Sequence, residues 1–101
     1  MIKRGDRRPA PPGAVFRQRV LEPLRMTQKE AAERLGISYP RMNEIINGKR
    51  SVTPDTALRF ARFTDTEPEF WLNLQQALDL WDALHSEQAA ELEEIEPANV
   101  G

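Results

Sequence analysis

Apolar residues recur at helical spacing along most of this chain, and helix start and stop signals fall between the runs. Phe16, Val20 and Leu24, with Leu21 beside them, form one stripe on a helix that opens near Gly13. Pro23 is expected to end or kink that helix near Glu22, because its ring removes a donor and crowds the preceding turn. Thr27 followed by Glu30 spells a capping box, and Ala31, Ala32 and Leu35 make the inward face of the second helix. Gly36 stands where that helix must stop, since glycine accepts a left-handed conformation at no steric cost. Ser38 can cap a third helix, with Pro40 in its first turn, Met42, Ile45 and Ile46 on its buried side, and Asn47-Gly48 at its end. Thr53-Pro54-Asp55 starts a fourth, with Ala57, Leu58, Phe60 and Ala61 facing inward. Thr66 and Glu69 suggest a second capping box, with Pro68 in the first turn of a fifth helix. That helix carries Phe70, Trp71, Leu74, Ala77, Leu78 and Trp81 on one stripe and Leu72, Leu80 and Leu84 off it. Its apolar surface is wider than one contact needs, so a further partner is expected over part of it. With no strand signal and no repeat, the pattern predicts an all-α bundle of five short helices.

The flanks differ from this core. Residues 1–11 are proline-rich and basic, and are read as a flexible arm; 12–85 form the domain; 86–101 are an acidic tail. The tail can extend the last helix by a turn or two before fraying. At 101 residues the chain is one small domain, and without cysteine it has neither disulfides nor thiolate chemistry. No run reaches the roughly 18 apolar residues of a membrane span, and the N-terminus lacks the apolar core of a secretory signal. A soluble, cytoplasmic protein is expected.

Charge changes the picture more. Residues 1–50 hold 12 Lys/Arg against 5 Asp/Glu, a net of +7, whereas 51–101 hold 2 against 11, a net of −9. Solubility alone can produce such a split, but it also suits a nucleic-acid face at the basic end. The segment MTQKEAAERLGISYPRMNEIINGKRSV, from Met26 to Val52, gives that face a form. Ala32 supplies the small contact between two helices, Gly36 the turn four residues later, and Ile45 the anchor nine beyond that. This is the spacing of a helix-turn-helix, in which the second helix offers its N-terminal residues to base edges; an ordinary αα-hairpin is the plainer alternative. Once the core positions are removed, Tyr39, Pro40, Arg41, Asn43, Glu44 and Asn47 are left exposed. Arginine can pair bidentately with guanine and asparagine with adenine, while Tyr39 and Pro40 can touch a thymine methyl. Glu44 either accepts from cytosine or is a solvated charge. Gln28 and Ser38 stand at the starts of the two helices, within reach of the DNA, and Lys49 and Arg50 are natural phosphate clamps. Arg59 and the arm residues Lys3, Arg4, Arg7 and Arg8 are weaker candidates.

Five segments resemble one family: Pro12-Gly13, LEPL (Leu21–Leu24), NEIINGKR (Asn43–Arg50), TPDTALRFAR (Thr53–Arg62) and PEFWLNLQQALDLW (Pro68–Trp81). Over about residues 11–84 the chain is similar to the HigA antitoxins, a VapI-like branch of the Xre/lambda-repressor-type helix-turn-helix proteins. The resemblance implies a five-helix lambda-repressor-like fold and membership of a type II toxin–antitoxin pair. Such an antitoxin neutralises a small basic RelE-like toxin, HigB, which cleaves ribosome-associated mRNA. It also represses its own operon as a homodimer on a palindromic operator. Members commonly dimerise through the last core helix, which here implies an interface drawn from Trp71, Leu72, Leu74, Leu78, Trp81 and Leu84; plain core packing is the alternative for that stripe, and some of these residues belong to the core. The acidic tail lies outside the pattern, and either meets a basic toxin surface or solubilises the chain.

Two other functions compete: a stand-alone Xre-type regulator with no toxin, and a protein-interaction module that no longer binds DNA. Catalysis, cofactors and metal sites are not expected. His85 is the single histidine, there is no cysteine, and no spaced carboxylate pair faces a pocket. His85 suits the negative end of a helix.

Overall fold

A computed structural model describes residues 7–100. Among them there is no strand. Helix α1 spans 12–24: it opens as an α-helix over Pro12–Phe16, widens to a π-helical turn over Arg17–Leu21 and closes over Glu22–Leu24. There follow α2 (Gln28–Leu35), α3 (Tyr39–Ile46), α4 (Pro54–Thr64), α5 (Pro68–Leu84) and a short α6 (Ala89–Glu93).

Three caps form as the sequence suggests. Thr27 Oγ1 accepts from the Glu30 N–H at 3.0 Å while Glu30 Oε1 accepts from the Thr27 N–H, closing the capping box. Ser38 Oγ accepts from the Arg41 N–H and Thr53 Oγ1 from the Thr56 N–H. Gly36 and Gly48 both take φ +73°, which ends α2 and α3.

Several local expectations need correction. Helix α1 passes Pro23 and stops at Leu24, two residues beyond Glu22, and its regular turn is broken just before the proline. The Glu22 N–H reaches back five residues to Arg17 O, and the wider turn makes room for the ring. The same turn shifts the phase of the stripe, so Val20 and Leu21 are buried while Leu24 is 59% exposed. Leu58 is equally exposed, because Ala57, Phe60 and Ala61 already fill the inward face of α4. The second capping box is absent. Glu67 is the N-cap of α5 and makes no side-chain cap bond. Thr66 Oγ1 instead accepts from Trp71 Nε1 at 3.0 Å and pairs with Thr64 Oγ1 at 2.8 Å. The tail does not prolong α5: His85 ends it, its Nδ1 2.8 Å from Trp81 O and its ring stacked on the Trp81 indole, and α6 is separate.

The core is an aromatic knot. Phe16 of α1 lies 4.2 Å from Phe60 of α4, and Phe60 meets Trp71 of α5 edge-on at 5.1 Å. Trp71 and, further along α5, Leu78 are buried, so these two of the six candidate interface residues serve the core of this chain. Leu72 and Leu74 are half-buried against the same core, and Trp81 and Leu84 are half-buried further along α5. Gln75 is buried among them and accepts from the Val52 N–H at 2.9 Å, which satisfies a backbone donor that no helix serves.

Helix α1 meets α3 at Gly13. A Cβ there would overlap Ile45 O and come within 2.6 Å of Ile45 C and 2.8 Å of Ile46 Cα. These are backbone atoms, so only glycine lets the two helices approach this closely. Gly13→Ala should lower unfolding free energy by about 3 kcal/mol in urea denaturation, the upper range for overpacking. Gln75→Leu should cost about 1–3 kcal/mol by leaving the Val52 N–H unpaired, and a neutral outcome in the same assay would remove that role.

Candidate nucleic-acid interface

Helices α2 and α3 and the turn at Gly36 form the helix-turn-helix. Its outer surface begins at the N-terminus of α3, where the Ser38 cap and Pro40 in the first turn set the helix start. Tyr39 is 51% exposed there, with Pro40 beside it. One turn on, Asn43 Nδ2 donates to Gln28 Oε1 of α2 at 2.9 Å, and Asn47 Nδ2 donates to Asn43 Oδ1 at 3.2 Å. The three amides form a ladder along the face. It fixes which way each amide points and leaves the Gln28 amino group, one Asn43 hydrogen and the Asn47 carbonyl for a ligand.

The structure brings Gln28, Ser38, Tyr39, Pro40, Asn43 and Asn47 onto this one surface, as the helical spacing suggests. It treats the arginines differently. Arg41 is not an open reader. Its Nη2 donates to Asp55 Oδ2 at 2.9 Å and to Thr56 Oγ1 at 2.7 Å, and its side chain is only 28% exposed. Arg50 is not an open phosphate clamp either: its Nε and Nη2 both donate to Glu44 Oε1, at 3.2 and 2.9 Å. Glu44 is thus not a lone solvated charge. Lys49 is exposed at the end of α3 with no side-chain partner among the described residues. In the arm, Lys3 and Arg4 lie outside the described residues, and Arg8 pairs bidentately with Asp82 of α5 at 2.8 and 2.9 Å.

Sequence reasoning missed Asp55 as part of this site and read Arg59 only as a weaker candidate for DNA contact, not as a brace. Asp55 reads as a favourable acid in a first turn, which it is, but its Oδ2 also accepts from Arg59 Nε at 3.0 Å. Arg59 Nη1 in turn donates to Leu35 O at 2.8 Å and Gly36 O at 3.3 Å, the carbonyls at the turn between α2 and α3. No local motif marks this; the four-residue spacing of Asp55 and Arg59 was the one available hint. Among the described residues no group of His, Cys, Asp or Glu could hold a metal ion, and no helix is long and apolar enough to cross a membrane.

Hydrogen bonds from Arg41 first, and then from Arg59, hold the Asp55 carboxyl below its usual value of 3.8. Arg8 does the same for Asp82. A carboxyl lowered in the folded state contributes stability that is full above its unfolded value and lost as pH falls through its folded one. Unfolding free energy should therefore decline as pH drops below about 4. Asp55→Ala should flatten part of that decline, and an unchanged acid limb would show that the Asp55 contacts do not persist in solution.

Residues 18–71, just over half of the chain, match the Helix-turn-helix family. The antitoxin HigA-1 of Vibrio cholerae is 37% identical over 81 residues, which cover 80% of this chain and 72% of that protein. An addiction-module antidote protein of the HigA family from Coxiella burnetii is 40% identical and superposes with a TM-score of 0.84, over 91% of this chain and all of that one. The Pseudomonas aeruginosa antitoxin HigA, solved with the higBA promoter, is 33% identical with a TM-score of 0.83, over 89% of this chain and 98% of that one. The family is one of DNA-binding regulators and antitoxins rather than an enzyme class. By its helix-turn-helix, its relatives and its structural neighbours, the chain belongs to the HigA antitoxin family of Xre-type helix-turn-helix proteins.

Proposed function

We propose that this chain is the antitoxin of a type II toxin–antitoxin pair: it neutralises a small basic RelE-like toxin of the HigB kind and represses its own operon by binding a palindromic operator as a dimer. The observation that carries the DNA half is the amide ladder that runs from half-buried Gln28 of α2 through half-buried Asn43 to exposed Asn47, beside exposed Tyr39 and Pro40 at the start of the helix that a helix-turn-helix offers to the major groove. A homologue with this fold and 33% identity is solved on its promoter. Asn43 and Asn47 then read base edges, Tyr39 and Pro40 make apolar contact, and Ser38, the Gln28 amino group and Lys49 meet the backbone. Arg50 supports the phosphate contacts only if Glu44 releases it.

The dimer is drawn from the exposed side of α5. With Trp71 and Leu78 buried in this chain, the interface draws on the half-buried Leu72, Leu74, Trp81 and Leu84, and Phe70 and Leu80 are the more exposed apolar side chains of the same helix. A two-fold pair would present two α3 helices to two half-sites, which matches a palindrome.

In anisotropy titrations against the promoter upstream of its own gene, Asn43→Ala should cost about 1–3 kcal/mol and relax specificity at one position per half-site. Lys49→Ala should weaken operator and random DNA alike and reduce the salt slope by about one. A loss for Asn43→Ala that is identical on both DNAs would remove Asn43 as a reader. For the antitoxin half, a reading frame beside this gene should encode a small basic protein whose expression arrests growth, and co-expression of this chain should relieve the arrest. Failure of that rescue would leave an operator-binding regulator without a toxin. Light scattering at micromolar concentration should show a dimer, and a monomer there would sink the two-fold arrangement.

A further inference from the structure

Arg41 occupies the third position of the reading helix, where an arginine would be expected to reach the DNA. Its donors say otherwise. A guanidinium offers five N–H groups, and its two bidentate edges, Nε with Nη2 and Nη1 with Nη2, share the Nη2 group. Both Nη2 hydrogens are committed here, one to Asp55 Oδ2 at 2.9 Å and one to Thr56 Oγ1 at 2.7 Å. Neither edge is open to guanine or to a phosphate while these bonds stand. Asp55 Oδ2 also holds Arg59, which grips the carbonyls of Leu35 and Gly36. One carboxylate thus ties the reading helix, the helix-turn-helix turn and α4 together.

We propose that Asp55 sets sequence discrimination by holding Arg41 as a strut between α3 and α4, so that only neutral side chains face the bases. The inference rests on the DNA-reading role above. Non-specific DNA binding is driven by cations that displace counterions from any sequence. An arginine at this position free of its carboxylate would add one such contact to every DNA it met. With Arg41 held by Asp55, and Arg50 paired with Glu44, the uncharged side chains on this face are Tyr39, Pro40 and Asn43 of α3 and Asn47 at its C-cap. These gain little from phosphate alone and depend on the right base edges. Asp55 is a positioning residue in this scheme: it acts through Arg41 and touches no DNA.

The test is fluorescence anisotropy with the full-length chain, a duplex from its own promoter and a scrambled duplex of equal length, over a series of salt concentrations. Wild type, Asp55→Ala, Arg41→Ala and the double variant are compared, with circular dichroism confirming that each is folded. Asp55→Ala should bind the scrambled duplex about tenfold tighter at low salt, with a slope steeper by about one, and its preference for the promoter should fall accordingly. In the Arg41→Ala background the Asp55 substitution should change neither slope nor preference. If Asp55→Ala is not folded, Asp55→Asn keeps the size of the side chain and is read in its place, with the same direction expected. An unchanged slope and preference in the folded Asp55 variant overturns the proposal. So does a change of equal size without Arg41, which would reflect only the loss of a negative charge. Failure of the wild type to prefer the promoter overturns the DNA-reading role itself, and the proposal with it.

Discussion

The reading helix is held in place by a glycine that has nothing to offer but absence. Gly13 lets α1 lie against the backbone of α3 at Ile45 and Ile46, closer than any side chain permits. From that contact the rest follows in order. Helix α1 then reaches the core with Phe16, which packs on Phe60, which packs on Trp71. The aromatic knot joins the helix that braces the DNA face to the two that carry the remainder of the domain. A displaced α1 would disturb the reading helix and the core together.

The face itself is built with less charge than its composition suggests. Three arginines of the basic half pair with distant or nearby carboxylates: Arg41 with Asp55, Arg50 with Glu44, Arg8 with Asp82. All three pairs are partly solvent-exposed, so each adds little to stability as a pair. Their larger consequence is directional. They decide which way long side chains point and which donors remain for DNA. The polar ladder from Gln28 through Asn43 to Asn47 has the same effect on the amides.

Legibility follows the range of the interaction. Helix starts at Thr27, Ser38 and Thr53 were readable because a cap is completed within three residues of itself. Stops at Gly36 and Gly48 were readable because glycine marks a positive φ. Stops at Arg25 and Asp65 were not, because these residues take φ of 52° and 55° without a glycine to signal it. Thr66 failed as a cap because its hydroxyl had a better partner in the Trp71 indole, five residues on. Val20, Leu21 and Leu24 show the same limit: the periodicity holds until the π-turn over Arg17–Leu21, ahead of Pro23, changes its phase.

Local periodicity and capping thus determined the helices, their order and the surface of α3 that faces outward, since each depends on neighbours in sequence. The apolar excess of α5 was equally visible, but only the packing of Phe16 and Phe60 assigned Trp71 to the interior. Near-neighbour spacing accounts for the pairs Arg59–Asp55, Arg17–Glu22 and Arg50–Glu44, whereas the other charges were placed by the tertiary fold. Arg41 meets Asp55 across 14 positions, Arg59 meets Leu35 across 24 and Arg8 meets Asp82 across 74. A flexible cation takes whichever acceptor the fold brings within 3 Å or so, and no pattern of near neighbours encodes that choice.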